Sequence, residues 1–148
     1  MGNAAYFVTT CTAEQHSIFS DNANAQIVVD AIRWLRERGR VWILGYVVMP
    51  DHVHLMMVLR EGHCLASVMR VWKGFASRRL SRRIGRGAPI WQDGYYDHMV
   101  RNSKDLRDCL AYMHYNPVRK GFADDPERYA FSTANPALAD DVDAWWMV

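Results

Sequence analysis

The chain has 148 residues, half of them apolar and 12% aromatic, with a formal net charge of +2. This excludes intrinsic disorder and gives enough chain for a hydrophobic core; with no run of 18 apolar residues and no signal-peptide pattern, a soluble, cytoplasmic protein is expected. Three widely spaced cysteines, Cys11, Cys64 and Cys109, exclude a disulfide framework or a Cys-x-x-Cys zinc site and predict buried free thiols.

Tyr6–Cys11 is aromatic and β-branched and reads as a first strand. Ser20 or Asp21 can cap a helix running to about Arg38, with Val28, Ala31, Ile32 and Leu35 at helical spacing and Gly39 as its stop. Val41–Met49 is a nearly continuous apolar run and predicts a second strand. Pro50-Asp51 turns the chain into a third, His52–Leu59, antiparallel to the second. A second helix is expected from Leu65 to about Ile84, its stripe made by Leu65, Val68, Met69, Trp72, Phe75, Ala76 and Leu80. Ile90–Gln92 and Tyr95–Val100 flank Asp93-Gly94, a hairpin signal. Asn102 or Ser103 opens a third helix with Leu106, Cys109, Leu110 and Met113 on its core face, and Pro117 is expected to cut it. From Ala123 onward periodicity is lost; Trp145 and Trp146 suggest that the terminus docks. These elements predict an α+β fold, a ferredoxin-like antiparallel sheet with helices packed on it. One domain is expected over residues 1–148, with an irregular tail over 123–148.

Within the third strand, side-chain alternation points His52 and His54 to one face and Val53, Leu55 and Met57 to the other. Two imidazoles on one rigid face can hold a divalent metal. On the third helix Tyr112 and Asn116 stand four residues apart, beside the apolar stripe, where side chains can meet a site at the core's edge. Charge is uneven. Gly62–Gln92 holds Arg70, Lys73, Arg78, Arg79, Arg82, Arg83 and Arg86 without one acid, which points to a polyanion partner, whereas the tail from Asp124 is acidic. Arg79 and Arg83 fall close to the apolar stripe, so the end of this helix is expected to reach toward a ligand. Trp72 is expected in the core; Trp91 and Tyr95 could stack on bases or fill it.

Three motifs occur in order: Met49-Pro50-Asp51-His52-Val53-His54, Trp91-Gln92-Asp93-Gly94-Tyr95-Tyr96-Asp97-His98 followed by Arg101-Asn102, and Tyr112-Met113-His114-Tyr115-Asn116-Pro117-Val118-Arg119. Together they resemble the HUH single-tyrosine transposases, closest to the REP-associated tyrosine transposases, over roughly Tyr6 to Ser132. The resemblance implies a metal-dependent single-stranded DNA endonuclease and strand transferase. It makes Tyr112 the nucleophile and His52, His54 and Asn116 the ligands of Mg²⁺ or Mn²⁺. It implies cleavage near DNA hairpins through a 5′-phosphotyrosine, rejoining without ATP, and a nucleoid-associated monomer or homodimer that binds REP-like hairpins in single-stranded DNA. Arg70, Lys73, Arg78, Arg79, Arg82, Arg83, His98 and Arg101 are the expected DNA contacts. The alternatives are a domesticated hairpin-binding protein that does not cleave, and a replication-initiator or relaxase nickase. The latter usually carry extra histidine ligands or two tyrosines, absent here. Tyr95, Tyr96 and Tyr115 are rival nucleophiles.

Overall fold

The structure is a computed structural model and describes residues 4–144, apart from 86 and 88. Trp145, Trp146 and Arg86 therefore lie outside the described residues. Four strands, β1 (Ala5–Cys11), β2 (Val41–Val48), β3 (His52–Leu59) and β4 (Tyr96–Met99), form one antiparallel sheet in the order β2-β3-β1-β4. Helix α1 (Asn22–Glu37) connects β1 to β2, and α2 (Leu65–Ile84) connects β3 to β4. Two interleaved β-α-β units with this strand order make the expected ferredoxin-like sheet.

Helices α1 and α2 cover one face of the sheet. Val28, Ala31, Ile32 and Leu35 of α1 and Val68, Met69, Trp72, Ala76 and Leu80 of α2 pack there with Val53, Leu55 and Met57. Asp21 caps α1 by accepting from the Ala23 amide at 2.9 Å. Gly85 closes α2 in the left-handed conformation, its amide bonded to the Ser81 carbonyl at 2.8 Å. Helix α3 (Ser103–Arg119) covers the other face, where Leu106 and Met113 meet Leu44, Val47, Met49, Met56 and Val58. It approaches β2 at Gly45: a Cβ there would sit 2.8 Å from the Met113 methyl and 3.1 Å from a Leu110 methyl. The strand is irregular between Ile43 and Gly45.

Several expectations are corrected. The pieces around Asp93-Gly94 do not form a hairpin. Trp91 bridges to Thr12 and β4 pairs with β1, so both pieces add in succession to the same side of one strand. Lys73 Nζ fixes the turn between them by donating to the carbonyls of Gln92 (3.1 Å) and Gly94 (2.7 Å). Trp91 is buried between Phe19 and Trp72 and fills the core. Pro117 does not cut α3, which runs two residues past it to Arg119; its missing amide removes a single helical bond, the one to the Met113 carbonyl. Cys64 is exposed just before α2, while Cys11 and Cys109 are half-buried. Strand β2 ends at Val48, one residue earlier than expected.

The tail covers the open edge of β2. Val48 N donates to Phe131 O at 2.9 Å, Thr133 N to Tyr46 O at 3.0 Å, and Asp143 N to Ile43 O at 2.7 Å. An unpaired strand edge is a template for aggregation, and this segment occupies it. Two of its acids bind the rest of the chain. Asp141 accepts from Arg33 Nε at 3.0 Å and from the buried Tyr46 hydroxyl at 2.6 Å; Asp143 accepts from Arg36 and from the Ile43 amide. Burial, then the Asp141 bond, push the Tyr46 hydroxyl far above the ordinary tyrosine range.

Removing the Asp141 carboxylate strands that buried hydroxyl. Asp141→Ala is expected to lower unfolding stability by about 1–3 kcal/mol. In urea titrations Tyr46→Phe should recover part of that loss when combined with it, giving a non-additive double-mutant cycle.

Candidate active site

The register sets the site. On the α3 face of the sheet, Thr9 of β1 lies opposite His54 of β3, and Cys11 lies opposite His52. The two imidazole centroids are 4.8 Å apart. His54 Nδ1 is hydrogen-bonded to Thr9 Oγ1 at 2.8 Å, and His52 Nδ1 to Asp51 Oδ1 at 2.7 Å. A carboxylate only accepts, so His52 Nδ1 is the donor in this bond and the Asp51 contact leaves Nε2 unengaged. Both rings are thus anchored at Nδ1, an arrangement that orients metal-binding histidines.

The third expected ligand and the expected nucleophile come from α3. Asn116 is buried and Tyr112 is 54% exposed. The Tyr112 ring lies 6.2 Å from that of His54 and 6.2 Å from that of Phe7, centroid to centroid. Strand and helix therefore bring His52, His54 and Tyr112 together, and Asn116 follows one turn after Tyr112 on the same helix. Among the described residues, His54 Nε2 and Asn116 Oδ1 are buried polar atoms with no hydrogen-bond partner. Such orphans are costly unless a ligand satisfies them. Two imidazole nitrogens and an amide oxygen form a donor set that fits a divalent cation. Burial first, then the neighbouring charges of His52 and Arg119, push the His54 imidazole down to about 3. It is therefore neutral, as a ligand must be.

Three contributors are not evident from the sequence pattern. Arg119 places its guanidinium 4.3 Å from the Tyr112 ring centroid and donates to the Tyr112 carbonyl. Its place at the end of the Tyr112–Arg119 motif, two turns on from Tyr112, is its sequence signal. Asp51, beside His52 in the motif, orients that ring. Thr9 orients His54 and carries no signal until the strand register is known.

The expected DNA contacts are divided. Helix α2 lies on the opposite face of the sheet, so its cations are not brought to the histidine pair. Arg70, Arg78 and Arg82 are exposed there. Arg79 covers the Phe75 ring at 4.4 Å. Arg83 does not reach toward the site: it donates to Asn24 Oδ1 at 3.0 Å and pairs with Asp21 at 3.3 Å, tying α2 to the start of α1. Lys73 is likewise engaged, by the turn described above. His98 is on the Tyr112 side, bonded through Nε2 to Asp105 at 2.8 Å. Asp105 also accepts from the Arg101 amide at 2.9 Å and lies near Cys109, forming a knot between β4 and α3. The Arg101 amide, then His98, hold the Asp105 carboxyl below the ordinary range. Of the rival tyrosines, Tyr115 and Tyr96 are exposed and Tyr95 is half-buried.

A family model described as "Transposase IS200 like" matches residues 1–116. The REP-associated tyrosine transposase of Escherichia coli K12 is 32% identical over 125 residues, 80% of this chain and 73% of that one. A protein of Haemophilus influenzae, provisionally named a REP-associated tyrosine transposase, is 30% identical over 96 residues. That match spans 58% of this chain and about half, 54%, of the relative's length. Among solved structures, a REP-associated tyrosine transposase bound to a REP hairpin has a TM-score of 0.77 at 25% identity, covering 97% of this chain and 84% of that one.

The His54 environment predicts a pH effect. Its folded value lies below the ~6.5 of free histidine, so the unfolded chain takes up this proton first. The stability it contributes is full above about pH 6.5 and is lost as pH falls toward 3. Metal-free wild type is expected to lose up to about 1.4 kcal/mol per pH unit in that window beyond the loss in His54→Gln, as read from urea midpoints.

Proposed function

The chain belongs to the IS200-like transposase family, among its REP-associated tyrosine transposases, and from that premise we propose that it cuts and rejoins single-stranded DNA beside a hairpin. The proposal is carried by two buried polar atoms without a hydrogen-bond partner, His54 Nε2 beside the Tyr112 ring and Asn116 Oδ1 one helical turn on from Tyr112.

The Tyr112 hydroxyl is the nucleophile. Its oxygen attacks the scissile phosphorus, its proton leaves, and the bond from phosphorus to the 3′-oxygen breaks. The 3′-oxygen takes a proton, and the 5′-phosphate stays on Tyr112 as a phosphotyrosine. An incoming 3′-hydroxyl reverses these steps, so the bond energy is conserved and no nucleotide triphosphate is needed. His52, His54 and Asn116 would hold Mg²⁺ or Mn²⁺, whose charge would offset that of the phosphate's nonbridging oxygens. Thr9 and Asp51 fix the imidazoles, and Arg119 fixes the Tyr112 ring. Such positioning is what converts a weak nucleophile into an effective one.

The hairpin is the DNA partner, by analogy with the relative solved on a REP hairpin. The exposed α2 arginines are suited to its phosphates. Because they lie across the sheet from Tyr112, they hold duplex while a single strand reaches the other face.

Two tests follow. Wild type incubated with single-stranded hairpin DNA and Mg²⁺ is expected to yield a covalent adduct on the peptide containing Tyr112. Tyr112→Phe should remove it without changing hairpin affinity, while Tyr115→Phe, Tyr95→Phe and Tyr96→Phe retain it. Hairpin binding with no adduct in wild type would favour the non-cleaving binder. Separately, Arg78→Gln with Arg82→Gln should flatten the dependence of hairpin affinity on salt by about two counterions. A slope equal to that of wild type would place the duplex elsewhere.

A further inference from the structure

Along the α3 face the register runs from the Phe7–Met56 pair through Thr9–His54 to Cys11–His52. Tyr112 stands over the first two of these rows. Beyond the third, the face opens into a cleft of about 320 Å³ that reaches His52. That volume is within the range of ligand pockets. Its walls come from three separate segments. Asp51 of the β2–β3 turn and His52 at the start of β3 form one wall, Gln15 and Ser17 of the loop after β1 another, and Lys120 and Phe122 of the chain just past α3 the third.

We propose that this cleft is a nucleotide subsite, which seats one unpaired base and its phosphate from the strand attacked by Tyr112. The inference rests on the strand-transfer reading and adds to it the residues that choose the cleavage sequence. The occupant follows from position and chemistry. A strand whose phosphorus lies between Tyr112 and the imidazoles must continue past one side of them, and His52 is shared by the site and the cleft. Lys120 supplies a cation for the neighbouring phosphate. Phe122 is 55% exposed, an aromatic side chain available to a base. The Gln15 amide and Ser17 hydroxyl supply a donor and acceptor set for a base edge. The Asp51 carboxylate is engaged by His52.

The Gln15 backbone supports the same reading. Glu14 and Gln15 are consecutive non-glycine residues with φ of 54° and 55°, in the left-handed region. Such strain persists where surroundings enforce it and recurs at ligand clamps. Here buried Thr12 enforces it. Its amide donates to Asp51 O at 2.9 Å and its hydroxyl to His16 O at 2.7 Å, while the Ala13 amide donates to Ile90 O at 2.9 Å. The loop is thereby tied to the turn that carries His52.

The test is selection of bound sequences from hairpin DNA with randomised single-stranded flanks. The parent is Tyr112→Phe, so that no covalent step intervenes, and Gln15→Ala, Phe122→Ala and Phe122→Leu are added singly. The parent is expected to prefer particular bases at one or two adjacent flank positions. Gln15→Ala should erase the preference at one of them and leave the rest. Phe122→Ala and Phe122→Leu should both weaken binding of the selected DNA by about 5- to 150-fold, the loss of one stacked base, with circular dichroism unchanged. A parent without flank preference, variants that select the parent's sequences with its affinity, or a loss spread evenly over all positions would each overturn the subsite. If Gln15 controls a flank position but wild type forms no adduct on the selected DNA, strand transfer fails and the subsite stands. An adduct with a flank preference indifferent to Gln15 and Phe122 overturns the subsite alone.

Discussion

Strand β3 is covered on both faces, and the rest of the site depends on that. From Val53 to Leu59 every residue is buried, by α1 and α2 on one side and by α3 on the other. Alternation along the strand gives the first layer Val53, Leu55 and Met57, and the second layer His54, Met56 and Val58. An imidazole in such a position is desolvated, which keeps His54 neutral, and an unpartnered ring nitrogen there is costly. The strand therefore holds a ligand-type atom rigidly, in the protonation state a cation needs. His52, at the strand's open end, is less enclosed and leads to solvent.

Helix α3 presents the remaining candidate residues from one stripe. Asp105, Cys109, Tyr112 and Asn116 follow at spacings of four, three and four, so they share a face. The stripe's first residue grips His98 of β4, its third stands over His54, and its fourth is buried. The height of the helix above the sheet is set at Gly45, where a side chain would meet Met113 and Leu110. The tail holds the other flank: His114 Nε2 is bonded to Thr133 Oγ1 at 2.9 Å, and the Tyr129 hydroxyl donates to Val48 O at 2.8 Å. Irregular structure after α3 thus belongs to the scaffold of the site.

The sheet, its three helices and the facing of His52 and His54 were legible in the sequence, because each rests on local periodicity. Tyr112 and Asn116 were legible as a pair for the same reason. What eluded the sequence depends on contacts between distant segments. Thr9 acquires its role only through the β1–β3 register. The hairpin signal at Asp93-Gly94 was overridden because β1 offered both flanking pieces a longer partner. Pro117 reads locally as a helix stop, yet α3 runs two residues past it, because the loss of one helical bond does not undo the packing of Met113 and Leu106 on the sheet. The arginine run on α2 reads, from sequence alone, as one DNA-binding block. Packing against α1 claims Arg83 for Asp21 and Asn24, and Lys73 is used to close a loop.

The two faces of the sheet divide the labour proposed for the chain, with arginines on one side and the tyrosine and ligand donors on the other. This division holds only if the donors of β3 and α3 act together on one ion. The most direct measurement is an anomalous difference map from crystals of the full chain grown with Mn²⁺. The account predicts one strong peak in contact with His54 Nε2, His52 Nε2 and Asn116 Oδ1. A peak at the His98, Asp105 and Cys109 knot, with none at the histidine pair, would contradict it.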